Sequence, residues 1–120
     1  MEERIRFITH KGKKILLVDC TNASSEELQN LTKIVPSYVT AEPRGSVLLL
    51  ADLTGAKFDK NIVERIKPAL VIDRPHLKRS AWVAGETLPK IFHEHMKSFS
   101  QRDLPLFTTR EEALDWLVQD

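Results

Sequence analysis

The run VLLLAD at residues 47–52 constrains the fold more than any other stretch, because five consecutive apolar residues at strand length leave no face for water. Alternation would mark a strand with one wet face. A continuous run, closed by an acid and the turn-forming LTG, marks a strand covered on both sides and placed mid-sheet. The remaining sequence must then supply layers above and below it, and 120 residues are the length of one such domain.

The flanking segments fit that demand. RIRFI (4–8) alternates charged and apolar residues, HKGK (10–13) supplies a glycine turn, and KILLVD (14–19) is a second apolar run, so the start reads as a hairpin with an antiparallel edge strand. In SSEELQNLTKIVPSYV, Ser24 and Glu27 have capping-box spacing, and Leu28, Leu31, Val35 and Tyr38 share one helical face. Pro36 is expected to bend or end that helix early. Asp59 caps a helix carrying Ile62, Val63, Ile66 and Leu70, which Pro68 should kink or stop. KRSAWVAG (78–85) reads as a strand. Thr87 and Pro89 open a helix with Leu88, Ile91, Phe92, Met96 and Phe99 at helical spacing, and LPLF (104–107) is a short last strand. TTREEALDWLVQD closes the chain with a Thr109–Glu112 capping box and Ala113, Leu114 and Leu117 turned inward.

The order β-β-α-β-α-β-α-β-α predicts an α/β fold, with a mixed five-stranded sheet, mostly parallel, and four helices in a single domain over residues 1–120. Eighteen Lys and Arg against seventeen Asp and Glu give a net charge of +1, so no global field selects nucleic acid or an anionic membrane. No apolar run reaches the ~20 residues that span a bilayer, and the opening MEERIRFITHKGKK lacks a long apolar core before its charges. A cytoplasmic location is expected. The single Cys20 permits neither an internal disulfide nor a C-x-x-C pair.

In open α/β sheets ligands favour the carboxyl ends of the strands. Those tips carry Asp19, Cys20, Thr21 and Asn22, then Asp52, Leu53, Thr54 and Gly55, then Gly85 and Glu86, then Thr108 and Thr109. Two acids, hydroxyls and an amide can line a polar pocket; equally, D-C-T-N and D-L-T-G are turns in which Asp and Thr satisfy backbone donors. Neither G-x-x-x-x-G-K-[ST] nor G-x-G-x-x-G occurs, which excludes those two nucleotide-binding classes. Receiver-type magnesium chemistry needs an acidic cluster and a lysine at the final strand tip, where Phe107 and Thr108 stand. Asp52-Leu53-Thr54 lacks the second acid of a D-x-D motif. Cys20 has no activating base in its sequence neighbourhood, and His93-Glu94-His95 puts its imidazoles on different helix faces, so neither a nucleophile nor a metal site is assigned. Arg74, His76, Lys78 and Arg79 beside Trp82 form the one basic concentration, read as a strand mouth emerging from solvent. Leu49, Leu50, Ile72, Trp82, Ile91, Phe92, Met96 and Phe99 form core or line a cavity; sequence leaves both open.

The central VLLLADLTGAKFD, the strand exit RSAWVAGE and the closing PLFTTREEALDWL together resemble the SpoIIAA-like branch of the STAS families, often described as STAS/SEC14-like, over nearly the whole chain. The resemblance implies a five-stranded mixed sheet with four helices and a regulatory or binding role. In the anti-sigma-factor antagonists of that family, D-L-S-G-like residues lead to a D-S-S-G whose serine is phosphorylated at a helix start. Here Asp52-Leu53-Thr54-Gly55 matches the first part, whereas Asp59-Lys60-Asn61-Ile62 has neither hydroxyl nor glycine, which leaves only Thr54 nearby as an acceptor.

The expectation is therefore a non-enzymatic, bacterial-type STAS-like domain with no cofactor, no metal and no nucleic-acid partner. It would act by protein contact or self-association through the helix starting at Asp59, Lys60 and Asn61 and the adjacent tips at Asp19, Asn22, Asp52, Thr54 and Glu86. The alternative is an apolar small-molecule or lipid binder whose pocket opens at the strand carboxyl ends, its polar head oriented by Asp19, Asn22, Asp52, Glu86 or Arg102. A hydrolase using Asp19, Cys20 or Asp52 ranks last.

Overall fold

A computed structural model of the chain describes residues 4–84, 94 and 105–119. Strand β1 (Ile5–His10) and strand β2 (Lys13–Asp19) form the antiparallel hairpin, from Ile5 opposite Val18 to His10 opposite Lys13. Lys11 and Gly12 both have positive φ, 51° and 81°, the combination of the two-residue turn whose twist matches that of paired strands. Parallel pairing then joins β2 to β3 (Val47–Asp52), β3 to β4 (Leu77–Val83) and β4 to the two-residue β5 (Leu106–Phe107), in the order β1-β2-β3-β4-β5.

The parallel steps are bridged by α1 (Ser25–Thr40) and α2 (Lys60–Asp73), the latter running into a 3-10 turn over Arg74–His76. Ser24 and Glu27 make the full capping box: the Glu27 amide donates to Ser24 Oγ at 3.1 Å and the Ser24 amide to Glu27 Oε1 at 3.0 Å. Asp59 caps α2, accepting from the Ile62 amide at 2.9 Å. Helix α3 (Arg110–Leu117) starts at Thr109, which accepts from the Glu112 amide. The reciprocal half of that box is absent, because the Glu112 carboxylate instead takes the hydroxyls of Thr108 and Thr109.

Neither proline, expected to bend or end α1 and to kink or stop α2, ends its helix, since α1 continues past Pro36 to Thr40 and α2 past Pro68 to Asp73. A proline deprives the carbonyl four residues back of its donor, here those of Thr32 and Glu64. Thr32, Pro36, Glu64 and Pro68 all border one open groove between the outer sides of the two helices, away from the sheet. Water can serve carbonyls in such a place, so the missing bonds cost less than in a core. Three α-helices are seen among the described residues, not the four expected; of the helix expected over residues 87–99 only residue 94 is described, and it is helical.

Alternation along the strands builds two cores. Leu16, Val18, Leu49, Ala51 and Trp82 pack with Leu28, Leu31, Val35 and Val39 of α1 and Ile62 of α2. Ile15, Leu17, Leu48, Leu50, Ala81 and Val83 pack on the opposite face with Ala113 and Leu117 of α3. Strand β3 is buried at every residue, as its unbroken apolar run requires, and each such Leu contributes about 2 kcal/mol of transfer free energy. Charges of the basic concentration are used structurally. His76 Nδ1 donates to the Glu42 carbonyl at 2.9 Å, and Arg79 donates to the Trp116 carbonyl at 3.0 Å with its guanidinium 5.5 Å from the Trp116 ring centroid. Among the described residues, no helix is long and apolar enough to cross a membrane.

Candidate functional site

Strands β2 and β3 end in register, with Asp19 opposite Asp52. Each carboxylate first satisfies its own turn. Asp19 Oδ1 accepts from the Thr21 amide (3.1 Å) and hydroxyl (2.6 Å), and Asp52 Oδ1 accepts from the Thr54 amide (3.1 Å), as Asx turns do. Backbone bonds then carry the pairing past the sheet, from Cys20 N to Asp52 O and Asn22 N to Thr54 O, both 2.8 Å, and from Lys57 N to Ala23 O at 3.0 Å. Asn22 and Gly55 take left-handed φ of 55° and 71° to make this turn, and a Cβ on Gly55 would stand 2.2 Å from Asn22 Oδ1.

Arg110, the first residue of α3, closes the tips from the other side of the sheet. Its Nη2 lies 3.0 Å from Asp19 Oδ1 and its Nε 2.5 Å from Asp52 Oδ2. Burial opposes the Asp19 charge, but the Thr21 hydroxyl and amide and then Arg110 outweigh it and hold the carboxyl below its ordinary range. Burial likewise opposes the Arg110 charge, and the hydrogen bond and charge of Asp52, with Asp19, more than compensate and raise its pKa. The tips are thus a network of turns and two guanidiniums, Arg110 between the carboxylates and Arg4, which donates to the Asp19 and Thr21 carbonyls, both at 3.1 Å. The sheet order explains the closure: β2, β3 and β4 follow one another with α1 and α2 on one face, so no change of winding direction opens a crevice between them.

The expected site residues therefore divide. Asp19, Asn22, Asp52 and Thr54 come together, the two carboxylates bonded to their own turns and to Arg110 and the Asn22 amide to the Thr54 carbonyl. Asp59 caps α2 and accepts a hydrogen bond from the Ser25 hydroxyl, tying the starts of α1 and α2. Lys60 and Asn61 open α2, and Glu86 and Arg102 lie outside the described residues. Cys20 is buried, and burial, with the Asp19 and Asp52 charges, pushes its thiol up to about 12, which leaves no thiolate nucleophile at neutral pH. Among the described residues no group of three or more His, Cys, Asp and Glu could hold a metal ion.

Open volume lies elsewhere, between the sheet and the two helices on its α1/α2 face. A cavity of about 110 Å³ is walled there by apolar side chains, among them Val18, Leu31, Val35, Leu49, Ile66 and Trp82. Asp73 and Ser80 are among its lining residues, only 5% and 4% exposed; their Asp73 Oδ1 and Ser80 Oγ atoms have no hydrogen-bond partner and are themselves shut off from the open space. Burial pushes the Asp73 carboxyl up to about 7, against a smaller opposing effect of His76. Sequence reasoning places the polar contribution at the strand carboxyl ends; Asp73 instead closes α2 and Ser80 lies within β4. The sequence signal for them is an acid and a serine next to apolar runs, in LVID and KRSAWV, which only the packing distinguishes from solvent-facing residues.

No protein-family model matches the chain, and no curated protein does. Among solved structures, the chain is similar to an uncharacterized protein of the DUF3478 family with a SpoIIAA-like fold from Shewanella loihica PV-4. The two share 17% sequence identity at a TM-score of 0.69, over 94% of this chain and 91% of that one. The fold is SpoIIAA-like.

Proposed function

We propose that this domain is a non-catalytic binding module that holds a small, largely apolar molecule between the sheet and helices α1 and α2. The observation that carries the reading is the cavity itself. Protein interiors ordinarily close-pack, and voids above the size of a water molecule are few. Its volume is of the order of the ~150 Å³ engineered apolar cavity that takes up benzene, which indicates an occupant near that size rather than a long-chain lipid. Thr32 and Ala69 border both the cavity and the outer groove, so the helix pair separates the two spaces by one layer of residues. The absence of catalysis is supported by the engagement of the tip carboxylates in their own turns and with Arg110, and by the protonated Cys20.

Ligand-observed NMR with benzene and toluene tests the reading. Saturable transfer is expected for the native protein and is expected to vanish in Ala69→Leu, whose added volume fills the cavity. No binding of either probe to the native protein overturns it.

A protein-contact role for α2 has its own support. Val71 and Ile72, near the end of the helix, are 43% and 50% exposed, large apolar side chains of a kind that mark contact surfaces. Self-association through this surface predicts a concentration-dependent sedimentation coefficient that Ile72→Asp abolishes. A monomer at all concentrations leaves contact with a different protein as the only form of this reading.

A further inference from the structure

We infer that the outer edge of β1 is a seam for a second copy of this chain, whose own β1 pairs with it antiparallel about a two-fold axis through Phe7, so that two protomers share one continuous sheet. The seam is a different surface from the exposed end of α2 and does not depend on the cavity or its occupant.

Strand β1 ends the sheet order, and among the described residues no strand pairs with its outer side. The hairpin register fixes which groups lie there. The two-residue turn at Lys11 and Gly12 is closed by hydrogen bonds between His10 and Lys13, and pairing then alternates. Ile8 and Arg6 therefore direct their amides and carbonyls to β2, while Ile5, Phe7 and Thr9 direct theirs outward. Sheet edges that stay unpaired are usually blunted by a proline, a bulge or a very short strand. Six-residue β1 has no proline, and its pairing with β2 runs in continuous register from Ile5 to His10. It also carries Phe7, a large apolar side chain left 38% exposed.

Backbone, side chains and charge together select a second copy. Identical strands paired antiparallel obey a two-fold axis, the commonest symmetry of homodimers. With the axis at Phe7, Ile5 meets the partner's Thr9, Phe7 the partner's Phe7 and Thr9 the partner's Ile5, so every outward group of the three residues finds a partner. An axis at Arg6 would set two guanidiniums directly opposite each other, and an axis at Ile8 would leave Ile5 facing the turn residue Lys11. The Phe7 axis instead puts Arg6 opposite the partner's Ile8. Phe7 pairs with Leu16 and shares its face of the sheet, so the two rings lie side by side there as an aromatic cross-strand pair. Cations flanking the seam are balanced within their own protomer: Arg4 lies 3.2 Å from Glu27, Lys11 3.1 Å from Asp115, and Lys14, its ammonium 4.4 Å from the Phe7 ring centroid, 2.6 Å from Glu42. This internal pairing suits a second copy better than an acidic strand from another protein. A seam one strand long is at the small end of specific interfaces, so the dimer should be weak.

Sedimentation equilibrium of the native protein from about 10 µM to about 1 mM, with amide NMR over the same range, tests the inference. The mass is expected to rise toward that of a dimer. The outward amides of Ile5, Phe7 and Thr9 should shift and gain protection from solvent exchange, while the inward amides of Arg6, Ile8 and His10 change little. Thr9→Pro removes an outward donor and leaves the bonds to β2 intact, so it should weaken the dimer about thirtyfold, two neutral hydrogen bonds being lost per dimer. Ile72→Asp should leave the dimer unchanged. A monomer at about 1 mM, or a dimer whose outward β1 amides do not respond, overturns the seam. So does a dimer that Ile72→Asp abolishes. The native series decides these outcomes even if Thr9→Pro fails to fold.

Discussion

Replacing Asp73 by Asn should change how stability depends on pH, with a sign and size that follow from where Asp73 sits. Its carboxyl moves from an ordinary 3.8 in the unfolded chain to about 7 in the fold because burial penalises the charged form. Below 3.8 both states carry the proton and the group contributes nothing to the pH dependence. Between 3.8 and about 7 the folded state keeps a proton that the unfolded state has lost, so stability falls as pH rises, by about 1.4 kcal/mol per pH unit. Over about three units the loss reaches at most about 4 kcal/mol, and residual solvent contact reduces it. Above about 7 the penalty is complete and constant. Asn cannot ionise and fills nearly the same space, so the variant should escape this loss. Urea denaturation of both proteins at half-unit steps from pH 4.5 to 8.5 isolates the effect, because every other titrating group is common to the two. The stability of Asp73→Asn relative to native protein should climb by about 2–4 kcal/mol across that range. A difference that stays flat within about 0.5 kcal/mol between pH 5 and 8 would mean that Asp73 ionises freely and is not enclosed as described.

Arg110→Ala should destabilise the fold by about 2–4 kcal/mol, since it leaves the buried Asp52 carboxylate without its counter-charge, and urea midpoints will report it. The same variant should flatten the acid limb: the lowered pKa of Asp19 supplies stability above the ordinary carboxylate range that disappears as pH falls through the folded value, and removing Arg110 removes part of it. Cys20 should resist a thiol-specific chromogenic reagent in native protein at pH 8 and react fully in denaturant; fast native labelling would contradict its burial and its pKa of about 12. Gly55→Ala should cost about 1–2 kcal/mol, mainly from its φ of 71°, because the atom an added methyl would strike, Asn22 Oδ1, ends an exposed side chain that can move aside. Thermal denaturation showing no loss would place Gly55 outside the left-handed region.

Features whose cause lies within a few residues are legible in the amino-acid sequence alone. Two-sided burial is spelled by VLLLAD itself, the Ser24–Glu27 box closes over three residues, and the Asx turns at Asp19 and Asp52 reach two residues ahead. That α1 and α2 run on past Pro36 and Pro68 is not legible in the sequence, because the cost of a missing amide depends on what the freed carbonyl faces, and an open groove between two helices exists only after they pack. Arg110 is hidden for the same kind of reason. It sits in TTREEA as an ordinary first-turn residue, and its partner Asp52 is 58 positions away across the sheet. Asp73 and Ser80 are less legible still, since a lone acid at a helix end and a serine in a strand are commonplace until both prove to be enclosed.

The contrast between the strand tips and the apolar cavity bears on where a ligand would sit under the proposed function. At the strand tips the Asp19 and Asp52 carboxylates already accept from Thr21, Thr54 and Arg110, so a ligand arriving there would have to break bonds worth about as much as those it makes. In the cavity nothing needs to be broken, and its apolar walls gain contacts from any molecule that fills them. Under the proposed function a small molecule therefore gains most on the α1/α2 face, away from the aspartates that are conspicuous in the sequence.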